Sequence, residues 1–146
     1  MLPPSSPEAT NPPARPTVLC IDDDPLVLHF YRDFLELRGF RTLTVTEGPV
    51  GIELARRERP DVILLDVMLR GLSGFDICRK LRANPALRHI PIILLTLWDA
   101  ASVATTGREA GAALTLQKPA DAKIILTAIA QMLRERDGPP RGAHAP

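Results

Sequence analysis

The sequence predicts an α/β fold, a parallel five-stranded sheet covered by helices on both faces, from three observations. Stretches that read as short strands recur five times, over residues 17–21, 41–45, 62–65, 91–95 and 113–116. Each is followed by a stretch with helix signals, and this strict alternation makes the helices right-handed crossovers between parallel strands. The third and fourth runs, Val62-Ile63-Leu64-Leu65 and Ile92-Ile93-Leu94-Leu95, are apolar throughout, as strands buried on both faces are.

Taken in order, residues 1–16 hold six prolines and almost no large apolar side chain, so a disordered arm is expected there. The first strand leads into Asp22-Asp23-Asp24-Pro25, with Asp24 placed as N-cap and Pro25 at the first helical position. Leu26, Phe30, Phe34 and Leu37 recur at helical spacing, and Gly39 is a left-handed stop. After the second strand, Gly48-Pro49 opens a helix running to about Arg59, with Ile52, Leu54 and Ala55 available to the sheet. The third strand ends at Asp66. A turn-rich loop follows, and Ser73-x-x-Asp76 is a capping-box start for a helix to about Ala83, ended by Asn84-Pro85. The fourth strand runs into Thr96. Residues 99–110 form an alanine-rich helix with few large anchors, closed by Gly111, and it is expected to be the most weakly held element. The fifth strand precedes Lys118-Pro119. Asp121 caps a last helix in which Ile124, Ile125, Ala128, Ile129, Met132 and Leu133 draw one apolar stripe. One domain over 17–136 is expected, with a disordered tail over 137–146.

Eighteen basic and seventeen acidic residues leave a formal net charge of +1, so bulk charge favours neither nucleic acid nor a membrane surface. The apolar runs fall far short of the ~20 residues a membrane-spanning helix needs, and residues 1–16 lack the apolar core of a signal peptide. A soluble, cytoplasmic protein is expected. Cys20 lies in a strand and Cys78 in a helix, without CxxC or Cys/His spacing, which fits two buried thiols.

In an open parallel sheet all carboxyl ends lie on one edge, where ligands bind. That rule gathers Asp22 and Asp23 after strand one, Asp66 after strand three, Thr96 after strand four and Lys118 after strand five. If the strand order is 2-1-3-4-5, the three carboxylates meet. Like charges so placed repel by roughly 4 kcal/mol per pair at 4 Å and an effective dielectric of 20, so the cluster needs a cation or a shared proton. An open all-oxygen site suits Mg²⁺, and a carboxylate beside that ion, a hydroxyl and a lysine is a receptacle for a transferred phosphoryl group. Singly, each residue has a plain structural role: Asp66 and the Asp run as turn formers, Thr96 as a cap, Lys118 as a surface lysine.

Val18-Leu19-Cys20-Ile21-Asp22-Asp23-Asp24-Pro25, Pro60-Asp61-Val62-Ile63-Leu64-Leu65-Asp66-Val67-Met68-Leu69 with Gly71 and Gly74, Pro91-Ile92-Ile93-Leu94-Leu95-Thr96, and Lys118-Pro119 arrive in order over residues 16–136. This pattern resembles the response-regulator receiver domain of two-component signalling. The resemblance implies a flavodoxin-like sheet of order 2-1-3-4-5, with Asp66 as phosphoacceptor from a sensor histidine kinase or a histidine phosphotransfer domain. It further implies Mg²⁺ (or Mn²⁺) held by Asp22, Asp23, Asp66 and the Met68 backbone carbonyl, phosphoryl oxygens bound by Thr96 and Lys118, and a cis peptide at Pro119. No enzymatic activity beyond self-phosphorylation and self-dephosphorylation is implied. The expected downstream contact is a protein docking on helix four, strand five and helix five; no direct DNA binding and at most a weak homodimer are expected.

Three positions depart from the family pattern. Leu97 stands where a small residue is usual, Trp98 follows it, and Thr115 replaces an aromatic residue three positions before the lysine. Met68, Leu97 and Trp98 are expected to form an apolar rim over Asp66 that slows attack by water. Two rival readings remain. One is a receiver-fold interaction module with vestigial phosphorylation, its pocket blocked by Leu97. The other is a phosphatase of the haloacid-dehalogenase type using Asp22 and Asp24, which leaves Asp66 without a role.

Overall fold

A computed structural model describes residues 15–137. The arm expected over 1–16 lies outside the described residues up to position 14, and the tail expected over 137–146 lies outside them from 138 onward. The strands are β1 (Thr17–Ile21), β2 (Arg41–Val45), β3 (Val62–Asp66), β4 (Ile92–Thr96) and β5 (Leu114–Gln117). They alternate with α1 (Pro25–Leu37), α2 (Gly48–Glu58), α3 (Gly74–Ala83), α4 (Ala100–Ala110) and α5 (Ala122–Asp137). All strand pairs are parallel, in the order β2-β1-β3-β4-β5.

Successive strand residues point to opposite faces, and the core is divided accordingly. Leu19, Ile21, Ile63, Leu65, Ile92 and Leu94 pack with α2, α3 and α4 on one face. Val18, Cys20, Val62, Leu64, Ile93 and Leu95 pack with α1 and α5 on the other. Cys20 and Cys78 are both buried and free.

The buried helix faces are only partly those that apolar spacing suggests. Of the α1 stripe, Leu26, Phe30 and Leu37 are exposed, while Leu28, Tyr31 and Leu35 form the buried face. In α2, Gly48, Gly51 and Ala55 are buried, Gly51 against Ile21 of the sheet and Gly48 against Ile77 of α3, while Ile52 and Leu54 pack partly buried against the same core. In α5, Ile125, Ala128, Ile129 and Met132 are buried but Ile124 faces outward. α4 buries only Gly107 and Ala110, as its composition leads one to expect.

The far end of α4 is fixed by a cation. The Arg82 guanidinium donates to the carbonyl of Gly111 at 2.7 Å and to those of Ile90 at 2.7 Å and Arg88 at 3.0 Å. It thereby satisfies carbonyls at the α4 C-terminus and in the loop before β4. Arg82→Ala removes these bonds, with a longer one to the Leu87 carbonyl at 3.4 Å, and is expected to lower the unfolding free energy by about 2 to 3 kcal/mol, measured by urea denaturation.

Candidate functional site

Strand register brings the polar residues to one edge. Ile21 pairs with Leu65, Asp66 with Leu95 and Thr96 with Gln117, so the strands end nearly level. Beyond β1 the chain turns through the acidic run. Asp22 Oδ1 accepts the Asp24 N–H at 2.9 Å, and Asp24 Oδ1 accepts the Leu26 N–H at 2.9 Å. Asp24 is therefore spent as the α1 cap, which removes it from the phosphatase reading. Asp22 and Asp66 are buried, Asp23 half-buried, and one carboxylate oxygen from each lies within 4.8 Å of the others.

Lys118 enters this cluster from the end of β5. Its Nζ donates to Asp22 Oδ2 at 2.7 Å and stands 3.2 Å from Asp66 Oδ1. Its backbone N–H donates to the Thr96 carbonyl at 2.6 Å, and the Lys118-Pro119 peptide is cis. Burial raises the Asp66 pKa above the usual carboxylate range, the Asp22 charge raises it further, and Lys118 and the Met68 N–H oppose the rise. Burial pulls the Lys118 ammonium down, but its hydrogen bond to Asp22 and the charges of Asp22 and Asp66 outweigh that and leave its pKa raised. Asp23 has a more open setting, with the exposed Arg70 guanidinium 4.0 Å away.

The loop after β3 is held close by a glycine. The Gly74 N–H donates to the Val67 carbonyl at 2.7 Å, and a Cβ at Gly74 would strike the Asp66 carbonyl oxygen and lie 2.8 Å from Val67 Cα. Only glycine lets α3 start this near the strand end. A cavity of about 450 Å³ opens beside the acids, lined by Asp23, Met68, Arg70, Leu72, Ser73 and Trp98.

Leu97 does not line that cavity. It lines a separate groove of about 270 Å³ with Val27, Phe30, Tyr31, Lys118 and Pro119. Met68 and Trp98 thus line the cavity beside Asp23, while Leu97 stands over a groove that Lys118 also lines. The buried Thr96 hydroxyl accepts the Trp98 N–H at 3.0 Å. Half-buried Thr115 faces α4 at Gly107, where an added Cβ would sit 2.7 Å from Thr115 Oγ1. The outer groove and the Arg82 clamp escaped the sequence reading, since only the fold brings their parts together.

The sequence model of the response regulator receiver domain matches residues 18–130. The chain belongs to this family. This receiver is 34% identical over 116 residues to protein PilH of Pseudomonas aeruginosa, covering 80% of this chain and 96% of that one. It is 35% identical over 117 residues to the response regulator PleD of Caulobacter vibrioides, covering 80% of this chain and 26% of PleD, so it spans about a quarter of that protein. The structure of the chemotaxis response regulator CheY4 of Vibrio cholerae matches with a TM-score of 0.78 at 25% identity, covering 82% of this chain and 100% of that one. The BeF3-activated N-terminal receiver domain of Klebsiella pneumoniae RstA matches with a TM-score of 0.72 at 29% identity, covering 81% and 98%. The receiver is a module of two-component signal transduction. No helix among its described residues is long and apolar enough to cross a membrane.

The raised Asp66 pKa gives a stability test. The folded receiver binds the Asp66 proton more tightly than the unfolded chain, whose carboxyl titrates near about 3.9, so stability falls as pH rises from there through the folded-state pKa. Asp66→Asn is expected to resist urea better than the parent at pH 7 in metal-free buffer. The difference should close on acidification below the unfolded-state pKa.

Proposed function

We propose that this receiver takes a phosphoryl group from the phosphohistidine of a sensor histidine kinase or a histidine phosphotransfer domain onto Asp66, and signals through protein contact. The observation that carries the reading is the Lys118 ammonium shared by Asp22 and Asp66, at 2.7 and 3.2 Å, beside the more open carboxylate of Asp23.

The donor set fits Mg²⁺ or Mn²⁺. Three carboxylate oxygens within 4.8 Å of one another are close to the roughly 4.2 Å that separates opposite ligands of an octahedral Mg²⁺. Asp23, Asp66 and the Met68 backbone carbonyl would hold the ion directly. Asp22, whose oxygens already accept from Asp24 and Lys118, would act through water. Bound there, the cation offsets negative charge on the carboxylates and the transferring phosphoryl oxygens.

Asp66 supplies the oxygen that bonds to phosphorus as the phosphorus–nitrogen bond to the donor imidazole breaks, and the released nitrogen takes a proton from solvent. Lys118 and the Thr96 hydroxyl bind phosphoryl oxygens on either side. To do so the Thr96 side chain turns away from the Trp98 N–H. The change then passes to Trp98 and to α4, whose first N–H reaches Gln117 Oε1 at a long 3.3 Å. Thr115, seated under Gly107, does not act as an aromatic switch. A downstream protein docks on the face of α4, β5 and α5, and the site of action is the cytoplasm.

Incubation with a small phosphodonor and Mg²⁺ should add one phosphoryl group by intact mass. Asp66→Asn should abolish the adduct, and Lys118→Ala should slow its formation by about 10²-fold, the scale of losing one charged stabiliser. An adduct that persists in Asp66→Asn overturns the reading.

Control of phosphoryl lifetime is expected on one side of the loop. Trp98 and Met68 line the cavity beside Asp23, and their apolar surface would hinder water there, so Trp98→Ala is expected to speed decay of the adduct severalfold. Leu97→Ala, altering only the outer groove, should leave it unchanged. Both decays are followed by intact mass after removal of the donor.

A further inference from the structure

The loop after β3 brings a second cation to the acidic cluster. Met68 and Ser73 form an antiparallel bridge that closes this loop on itself, and Gly71 at its turn has a φ of +83°, which a residue with a side chain rarely adopts. The backbone at Arg70 is thereby held beside the site. Its side chain, 94% exposed, has room to change rotamer.

The Arg70 Nε lies 4.0 Å from Asp23 Oδ2, and among the described residues this is the one ion pair that either side chain makes. Asp22 and Asp66 are differently placed, since they share the Lys118 ammonium at 2.7 and 3.2 Å. Lys118 lines the outer groove with Leu97, whereas Arg70 is the one basic residue among those lining the cavity beside Asp23. The acidic cluster thus has two counter-ions of opposite character. One is fastened by burial and a hydrogen bond, and the other is held at the surface by a long contact to a single carboxylate.

We propose that Arg70 is a built-in competitor of the divalent cation for Asp23, and so sets the metal concentration at which the receiver becomes able to accept a phosphoryl group. This rests on Asp23 being a direct ligand of the ion. A carboxylate that ligates a divalent cation cannot keep a guanidinium on the same oxygens without setting the two positive charges against each other. Loading therefore breaks the pair, and Arg70 leaves toward solvent, the side its exposure leaves open. Apparent metal affinity is reduced by the fraction of time that Asp23 is paired. An exposed pair is weak, so that reduction is a factor of about two to five, and salt diminishes it by screening the pair.

Titration of the full chain with Mg²⁺, followed by calorimetry and by the fluorescence of Trp98 in the same cavity, tests this. Arg70→Ala should bind Mg²⁺ about two- to fivefold more tightly than the parent at low salt, Arg70→Glu more tightly still, and Arg70→Lys with nearly the parent's affinity. The gain should shrink in about 1 M NaCl, where the screening length falls to about 3 Å. Arg108→Ala, which removes the same charge near the far end of α4, should leave the affinity unchanged. The Arg70 Nε–H resonance, identified by its loss in Arg70→Ala, should move on adding Mg²⁺ toward its position in Asp23→Asn. Equal affinity in the parent and Arg70→Ala, a gain that Arg108→Ala reproduces, or a resonance that Mg²⁺ does not move in that direction overturns the proposal and leaves Asp66 as phosphoacceptor. A parent and an Arg70→Ala variant that both ignore Mg²⁺ overturn the proposal together with the metal assignment.

Discussion

Asp22 and Asp66 are withdrawn from water on adjacent strands, and the Lys118 ammonium, 2.7 Å from one and 3.2 Å from the other, is what lets both remain at the same sheet edge. Two carboxylates about 4 Å apart repel by roughly 4 kcal/mol at an effective dielectric of 20, more than one favourable contact elsewhere returns. One ammonium does not balance the cluster, because Asp23 adds a third negative charge beside it. Burial first, and the Asp22 charge second, make Asp66 hold its proton more tightly than a free carboxyl does. A divalent cation or a bound phosphoryl group changes that balance, and the same charge frustration that costs stability thus makes the site responsive to a ligand.

That arrangement depends on the central strands β1, β3 and β4 being apolar just short of their carboxyl ends. β1 is buried along its length and apolar from Val18 to Ile21, and β4 is buried along its length and apolar from Ile92 to Leu95, so the acids, Thr96 and the lysine fall at the carboxyl edge. Gly74 then fixes how near α3 stands to Asp66, and the Lys118 N–H bond to the Thr96 carbonyl at 2.6 Å fixes β5 against β4. The fold positions the chemistry by backbone geometry, and the site side chains need only reach across short gaps.

Strand composition and capping chemistry were legible because they are local. Asp24 caps α1, Ser73 Oγ accepts the Asp76 N–H at 3.2 Å, and Asp121 accepts the Ile124 N–H at 2.9 Å, as the sequence alone indicates. The convergence of Asp22, Asp23, Asp66 and Lys118 was legible because parallel alternation leaves one edge for all of them. Helix orientation was not. Apolar spacing marks α1 as helical but does not tell which of its two stripes meets the sheet, and the answer came from Leu28, Tyr31 and Leu35. For α2 the buried face is made of small residues, which a search for large apolar side chains passes over. The direction of Leu97 depends on how the chain leaves β4, a matter of loop backbone to which side-chain chemistry gives no clue.

The uneven fastening of α4 follows from the same distinction between large and small anchors. Its C-terminal end is gripped by Arg82 through the Gly111 carbonyl, and Gly107 and Ala110 settle it onto the sheet. Its N-terminal end begins just beyond the Thr96 hydroxyl and rests on the Asp99 cap and on Gln117, each through a bond of 3.3 Å. Local opening requires least free energy where the fewest apolar contacts are lost. The end of α4 nearest the acidic cluster is therefore the part that a change at Thr96 can move most cheaply. The clamped end keeps such a movement a pivot, because detaching the whole helix would strip the Arg82 guanidinium of a carbonyl it meets at 2.7 Å in a half-buried setting.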